Sequence, residues 1–393
     1  MRTYHTPASP QVLMDRACAE AGLSDFGPYP FREGLEYLVL AARGEALLSA
    51  AGLEAFESDV VVKLVNRLRL AADLRAHPEI TAERITRPVI ITGTSRGGTT
   101  TLQRVLSADP GVQRLDRWRA LNPAPFPNAK PAERDPRIAW AKHREENFIS
   151  KQHPQLWAAH QFTAEEPDED SWMIDITFES AVWWSKYRVP SFMTWFQRRD
   201  QSGQFRFLKL LLQYLQWQDG GARGRPWILK NPQNAAYIGQ LLQTFPDALL
   251  VQIHRSPAEV IASVGSAAYL LRKLYSDDAD PREVAYTQFR YKEWLFTEYL
   301  RQRTPAAEEQ FLDVWYSDFI EDSKGVIRQI YERAGMKLTP AALAAVDKWN
   351  ADNPQHKHGA HKYSLDNVGL SESEVEAAFA AYNARFGLSL RNT

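Results

Sequence analysis

The feature that most limits what this chain can fold into is the stretch Pro88-Val89-Ile90-Ile91-Thr92-Gly93-Thr94-Ser95-Arg96-Gly97-Gly98-Thr99-Thr100-Thr101-Leu102. A β-branched, apolar run ends at Thr92, a glycine-rich turn follows, and Leu102, Val105 and Leu106 begin a helical period. Strand, glycine loop and helix in that order make a phosphate cradle. Glycines let the backbone approach phosphate oxygens, successive N–H groups form an anion nest, and the helix adds the positive end of its dipole. Taken alone, the same stretch also reads as a glycine-rich turn without a ligand.

The variant of the loop narrows the chemistry. Counting G-x-x-x-x-G-K-[ST] from Gly93 places Gly98 correctly but puts Thr99 where a nucleoside triphosphatase needs lysine. The one cation of the loop is Arg96, giving Arg-Gly-Gly-Thr-Thr. This resembles the 5′-phosphosulfate loop of the sulfotransferases that use 3′-phosphoadenosine 5′-phosphosulfate (PAPS), and arginine in place of the usual lysine resembles their tyrosylprotein branch. The resemblance implies a three-layer, P-loop-like α/β fold with a central parallel sheet flanked by helices. It also implies that Ser95, Arg96, Gly97, Gly98, Thr99 and Thr100 hold the donor.

The rest of the chain is read against that expectation. Residues 10–85 carry helical periods, as in Tyr37, Leu40, Ala41, Leu47 and Leu48 with Gly52 as a stop, then Val61, Leu64, Val65 and Leu68 up to His77-Pro78. They are expected to form an N-terminal helical subdomain over 1–86, before the α/β domain over 87–393. Its apolar faces need cover from the main domain or from a second copy of the chain in a homodimer. From 122 to 136 five prolines (Pro123, Pro125, Pro127, Pro131 and Pro136) forbid helix or inner strand and suggest an irregular wall of an acceptor site. Eight aromatics from Trp172 to Phe196 read first as core packing and second as an apolar acceptor pocket.

Five carboxylates crowd into Glu165–Asp170. Pro167-Asp168-Glu169-Asp170 resembles an acidic segment of bacterial sulfotransferases. Crowding and burial raise a carboxylate's pKa toward the range of a general base, so Glu166 and Glu169 are the leading candidates to take a hydroxyl proton. His160 stays a candidate because cytosolic relatives use histidine. Pro226-Trp227-Ile228-Leu229 reads as a short strand delivering Lys230 at its carboxyl end, where ligands of open α/β sheets lie; the family resemblance gives Lys230 the leaving phosphosulfate. The buried strand 248–254 ends at Arg255-Ser256-Pro257, with Ser256 and Glu259 spaced as a capping box. Arg255 and Ser263, eight residues apart, resemble the family's 3′-phosphate site. Helices follow from Pro281 to Arg303, then a strand-like Phe311–Tyr316, all read as scaffold.

Gln355 to Leu365 holds three histidines and two lysines but no zinc spacing, so no metal is expected. It resembles the basic loop that closes over adenosine 3′,5′-bisphosphate, which implies Lys357, Gly359 and Lys362 as further donor contacts. With 47 basic and 48 acidic side chains the net charge is -1, giving no whole-chain case for nucleic acid. One cysteine, Cys18, and no apolar leader or long apolar run lead to the expectation of a cytoplasmic protein without a membrane span. The expected function is sulfuryl transfer from PAPS to the hydroxyl of an apolar or aromatic small molecule, lipid or glycan. The alternatives are a P-loop phosphotransferase using a nucleoside triphosphate with Mg²⁺, and a non-catalytic nucleotide-binding protein.

Overall fold

The computed structural model describes residues 3–127, 129–130, 133–353, 365 and 369–388. Five strands, β1 (Val89–Gly93), β2 (Gln113–Arg114), β3 (Trp227–Lys230), β4 (Leu249–His254) and β5 (Phe311–Trp315), form one parallel sheet in the order β2-β3-β1-β4-β5. Parallel neighbours need crossover connections, which lay helices on both faces. Side chains accordingly alternate between two cores. Val89 and Ile91 of β1 pack on one face with Leu102, Val105, Ile327 and Val346, while Ile90 packs on the other with Leu211, Leu215 and Leu295. The result is a three-layer α/β architecture with the parallel sheet in the middle.

The N-terminal helices α1 (Pro10–Ala21), α2 (Arg32–Glu45) and α3 (Ala50–Ala76) pack into the second of these cores through residues such as Leu13, Leu35, Leu38, Phe56 and Leu64, while Tyr37 and Leu40, expected on a covered face, are exposed. Gly52, expected to stop a helix, instead lies in the first turn of α3. Its smallness serves a close approach: a Cβ there would sit 1.9 Å from the carbonyl oxygen of Tyr275. The aromatic run is mainly core, with Phe178, Trp183, Trp184, Tyr187, Phe192 and Phe196 all buried. A capping box forms between Ser371 and Glu374 at the start of the helix Glu372–Ala378. The one expected at Ser256 does not, because the Glu259 carboxylate turns to Arg255. Among the described residues, no helix is long and apolar enough to cross a membrane.

The register brings the carboxyl ends of the inner strands level. Gly93 pairs with Ile253, Ile253 with Val314, and Ile91 with Lys230. The chain segments leaving β1, β3, β4 and β5 therefore meet along one edge.

Candidate active site

At that edge, Thr94 to Gly98 leaves β1 and enters helix α4 (Thr99–Ser107). Arg96 (φ 69°) and Gly98 (φ 92°) adopt left-handed backbone, which folds the loop back on itself, with the Gly97 N–H donating to the Thr94 carbonyl at 2.9 Å. Gly98 caps α4 without a side chain, so none of its own groups satisfies the helix's first N–H donors. A Cβ on Gly98 would lie 2.6 Å from the Tyr316 ring, and one on Gly97 would lie 2.4 Å from Thr94 Oγ1. That hydroxyl is itself buried and has no hydrogen-bond partner among the described residues. Tight glycines, uncapped amides and an orphan hydroxyl fit a phosphate group. Ser95 precedes Arg96 in the loop, and Thr99 and Thr100 occupy the first turn of α4.

Two arginines and a serine converge on this loop. Arg96 Nε donates to Ser263 Oγ at 3.2 Å, and Arg255 Nη1 donates to the Arg96 carbonyl at 3.2 Å. Arg255 is fixed from two further sides, by Glu259 at 2.8 Å and by the face of Tyr316, 4.3 Å below its guanidinium. The same Tyr316 ring closes against Gly98, so one aromatic side chain sets the spacing between loop and arginine.

A lysine and a carboxylate form the next part of the site. Lys230, the last residue of β3, is fully buried, with Nζ 2.7 Å from Glu169 Oε1 and 3.9 Å from Asp168 Oδ1. Asp168 is held from behind by Arg117, also buried, at 2.5 Å. Burial is the largest influence and works to raise the Asp168 pKa, but Arg117 together with His160 and Lys230 outweighs it and holds the carboxyl well below its usual range. Asp170 accepts from Asn231 Nδ2 at 2.7 Å, and burial pushes its pKa up to about 7, with the charge of Glu169 acting in the same direction.

The candidate bases are thereby separated. Glu169 sits on Lys230, and its second oxygen accepts from Ser171 Oγ at 3.1 Å. Glu166 lies toward β2, where its carbonyl accepts from the Arg117 N–H and its charge adds to the burial that raises the Asp116 pKa to about 6. His160 Nε2 is buried, 3.6 Å from Asp168 and without a hydrogen-bond partner among the described residues, and burial lowers its pKa. Lys357, Gly359 and Lys362 lie outside the described residues.

Two residues at the loop lie outside the candidates that the sequence marks. Tyr316 belongs to the segment expected to be scaffold, and nothing in the local sequence distinguishes it. Lys292, on the helix Pro281–Gln302, donates from Nζ to Ser95 Oγ at 3.1 Å. Its signal was present: a lysine on the same helical stripe as Phe289 and Phe296.

This arrangement defines a P-loop-like α/β protein with its glycine loop after β1 and an arginine at the end of β4. The sulfotransferase family model matches residues 88–340, and the chain belongs to that family, whose members transfer sulfuryl groups. It is similar along nearly its whole length to two solved mycobacterial structures. Sulfotransferase STF9 from Mycobacterium avium is 26% identical with a TM-score of 0.86, covering 98% of both chains. Sulfotransferase STF1 from Mycobacterium tuberculosis is 28% identical with a TM-score of 0.82, covering 95% of this chain and 99% of the other. Two curated relatives, the omega-hydroxy-beta-dihydromenaquinone-9 sulfotransferases Stf3 of Mycobacterium bovis and Mycobacterium tuberculosis, are 26% identical over 150 residues. The chain spans 37% of the length of these curated relatives.

Proposed function

We propose that the chain transfers the sulfuryl group of PAPS to the hydroxyl of an apolar acceptor. The observation that carries this reading is the chain of contacts Arg255 to Arg96 to Ser263, which joins the loop cation to the arginine and serine of the β4 edge. A donor with phosphate on both its 5′ and 3′ positions matches two such cationic sites. A triphosphate would instead favour a loop lysine where Thr99 stands.

PAPS supplies a sulfur atom whose bond to the bridging oxygen is already weak, so the residues have to position and neutralise. The Gly97 and Gly98 loop, the first amides of α4 and the hydroxyls of Ser95, Thr99 and Thr100 hold the 5′-phosphate. Arg255 and Ser263 hold the 3′-phosphate, Arg255 by the planar fork suited to a phosphate dianion. Glu169 accepts the acceptor's proton. Its position favours it over Glu166, which lies toward Asp116, and over His160, whose Nε2 is buried against Asp168. Lys230 stands beside Glu169 at the carboxyl end of β3, on the side of the leaving phosphosulfate.

For the acceptor, the curated relatives are named for a hydroxylated dihydromenaquinone. An apolar lipid or other small molecule ending in a primary hydroxyl is therefore the acceptor class proposed here. The test is a screen of prenyl alcohols, phenols and sugars with sulfur-labelled PAPS. Label in the prenyl alcohols supports the proposal, and label confined to sugars refutes it.

A further inference from the structure

The loop's own cation, Arg96, donates from Nε to Ser263 on the helix Pro257–Arg272. What meets the loop at Ser95 is Lys292, brought in from a different layer of the fold by the helix Pro281–Gln302. Lys292 is 4% exposed, and among the described residues no carboxylate lies within 4.0 Å of its ammonium. A buried ammonium without a paired carboxylate is costly to keep, unless an anion arrives to face it.

We infer that Lys292 is the cation that neutralises the 5′-phosphate of the donor, with Ser95 holding its ammonium toward the loop. This rests on the donor reading above and adds to it a residue outside the loop. In the transfer step the acceptor oxygen bonds to sulfur while the bond from sulfur to the bridging oxygen breaks. That electron pair stays on the bridging oxygen, the 5′-phosphate gains one negative charge, and the hydroxyl proton goes to Glu169. Lys292 gives up no proton; it supplies positive charge where negative charge grows.

Without a ligand, burial pulls the Lys292 pKa down to about 8, against the opposing charge of Glu169. The other charges on the elements packed around it are engaged elsewhere. Lys230 is bound to Glu169, Arg255 to Glu259, and Arg272 to the Trp184 carbonyl; the Tyr291 ring lies 5.3 Å from the ammonium. A bound phosphate favours the charged form, so at pH 9 binding is coupled to proton uptake.

The experiment is calorimetric titration with adenosine 3′,5′-bisphosphate and with adenosine 3′-monophosphate, at pH 7 and pH 9, in two buffers of different ionisation enthalpy. Wild type takes up a proton with the bisphosphate at pH 9 and much less at pH 7. Lys292→Met loses about thirtyfold in bisphosphate affinity at pH 7, keeps its 3′-monophosphate affinity, and shows no uptake. Lys292→Arg, charged at both pH values, also shows no uptake. Uptake that persists in Lys292→Met, or an unchanged bisphosphate affinity, overturns the inference, and so does a wild type that binds at pH 9 without uptake. A wild type that does not bind the bisphosphate at either pH overturns the donor reading itself. Melting temperatures check folding, and Lys292→Met melts no lower than wild type because it removes an unpaired buried charge.

Discussion

Glu169→Gln isolates the Lys230 pair, because it keeps the size of the side chain and removes only the charge. Lys230 is fully buried, so it cannot turn to water. At an effective dielectric constant of about 20, two charges at the observed 2.7 Å attract by about 6 kcal/mol before desolvation is counted. Asp168, 3.9 Å away, still offers about 4 kcal/mol by the same formula, but it is already committed to Arg117. Stranding a buried charge costs about 3–5 kcal/mol, and the Asp168 contact places this case at the lower end, about 3 kcal/mol. For a chain of this length that lowers the melting temperature by about 4 °C. The double variant Glu169→Gln/Lys230→Met no longer buries the orphan, and recovers most of that loss in thermal melts. Turnover, measured with any acceptor that wild type sulfates, recovers in neither. A single variant that melts like wild type, or a double variant no more stable than the single, refutes the reasoning.

Arg255→Met removes the bidentate partner assigned to the 3′-phosphate. It is expected to weaken adenosine 3′,5′-bisphosphate by about thirtyfold while leaving adenosine 5′-monophosphate unchanged, both read by calorimetry. Asp170 gives a pH prediction with a definite sign. Its folded pKa, about 7, lies above its ordinary value of 3.8, so between these the folded state holds a proton that the unfolded chain has lost, and stability falls as pH rises. Asp170→Asn abolishes that term. Its advantage over wild type in urea unfolding is expected to grow from near zero at pH 4 to on the order of 4 kcal/mol above pH 7, and an advantage that does not change with pH contradicts the assignment.

The parts of the site that could be read in the sequence are those written locally. The loop needs its glycines adjacent, and the strand ends announce themselves by where the apolar runs stop, at Thr92, Leu229 and His254. The positions of Lys230 and Arg255 at the ends of their strands follow from that, while their roles are implied only by the family resemblance. Which carboxylate faces the loop could not be read this way, because Glu165–Asp170 is irregular, and its fan of directions is set by Arg117, Asn231 and Lys230, from three different segments. Ser256 and Glu259 had the spacing of a cap, yet Arg255 competes for the carboxylate and wins it. Tyr316 and Lys292 reach the loop only because β5 and the helix Pro281–Gln302 pack beside β4 and its following helix. That is a tertiary fact with at most a trace in the local pattern.

The central claim is that the loop and the β4 edge together receive a nucleotide phosphorylated at both its 5′ and 3′ positions, and calorimetry with two ligands tests it most directly. Adenosine 3′,5′-bisphosphate, without metal, is expected to bind at least about a hundredfold more tightly than ATP with Mg²⁺. Equal affinity, or tighter binding of ATP with Mg²⁺, would contradict the account.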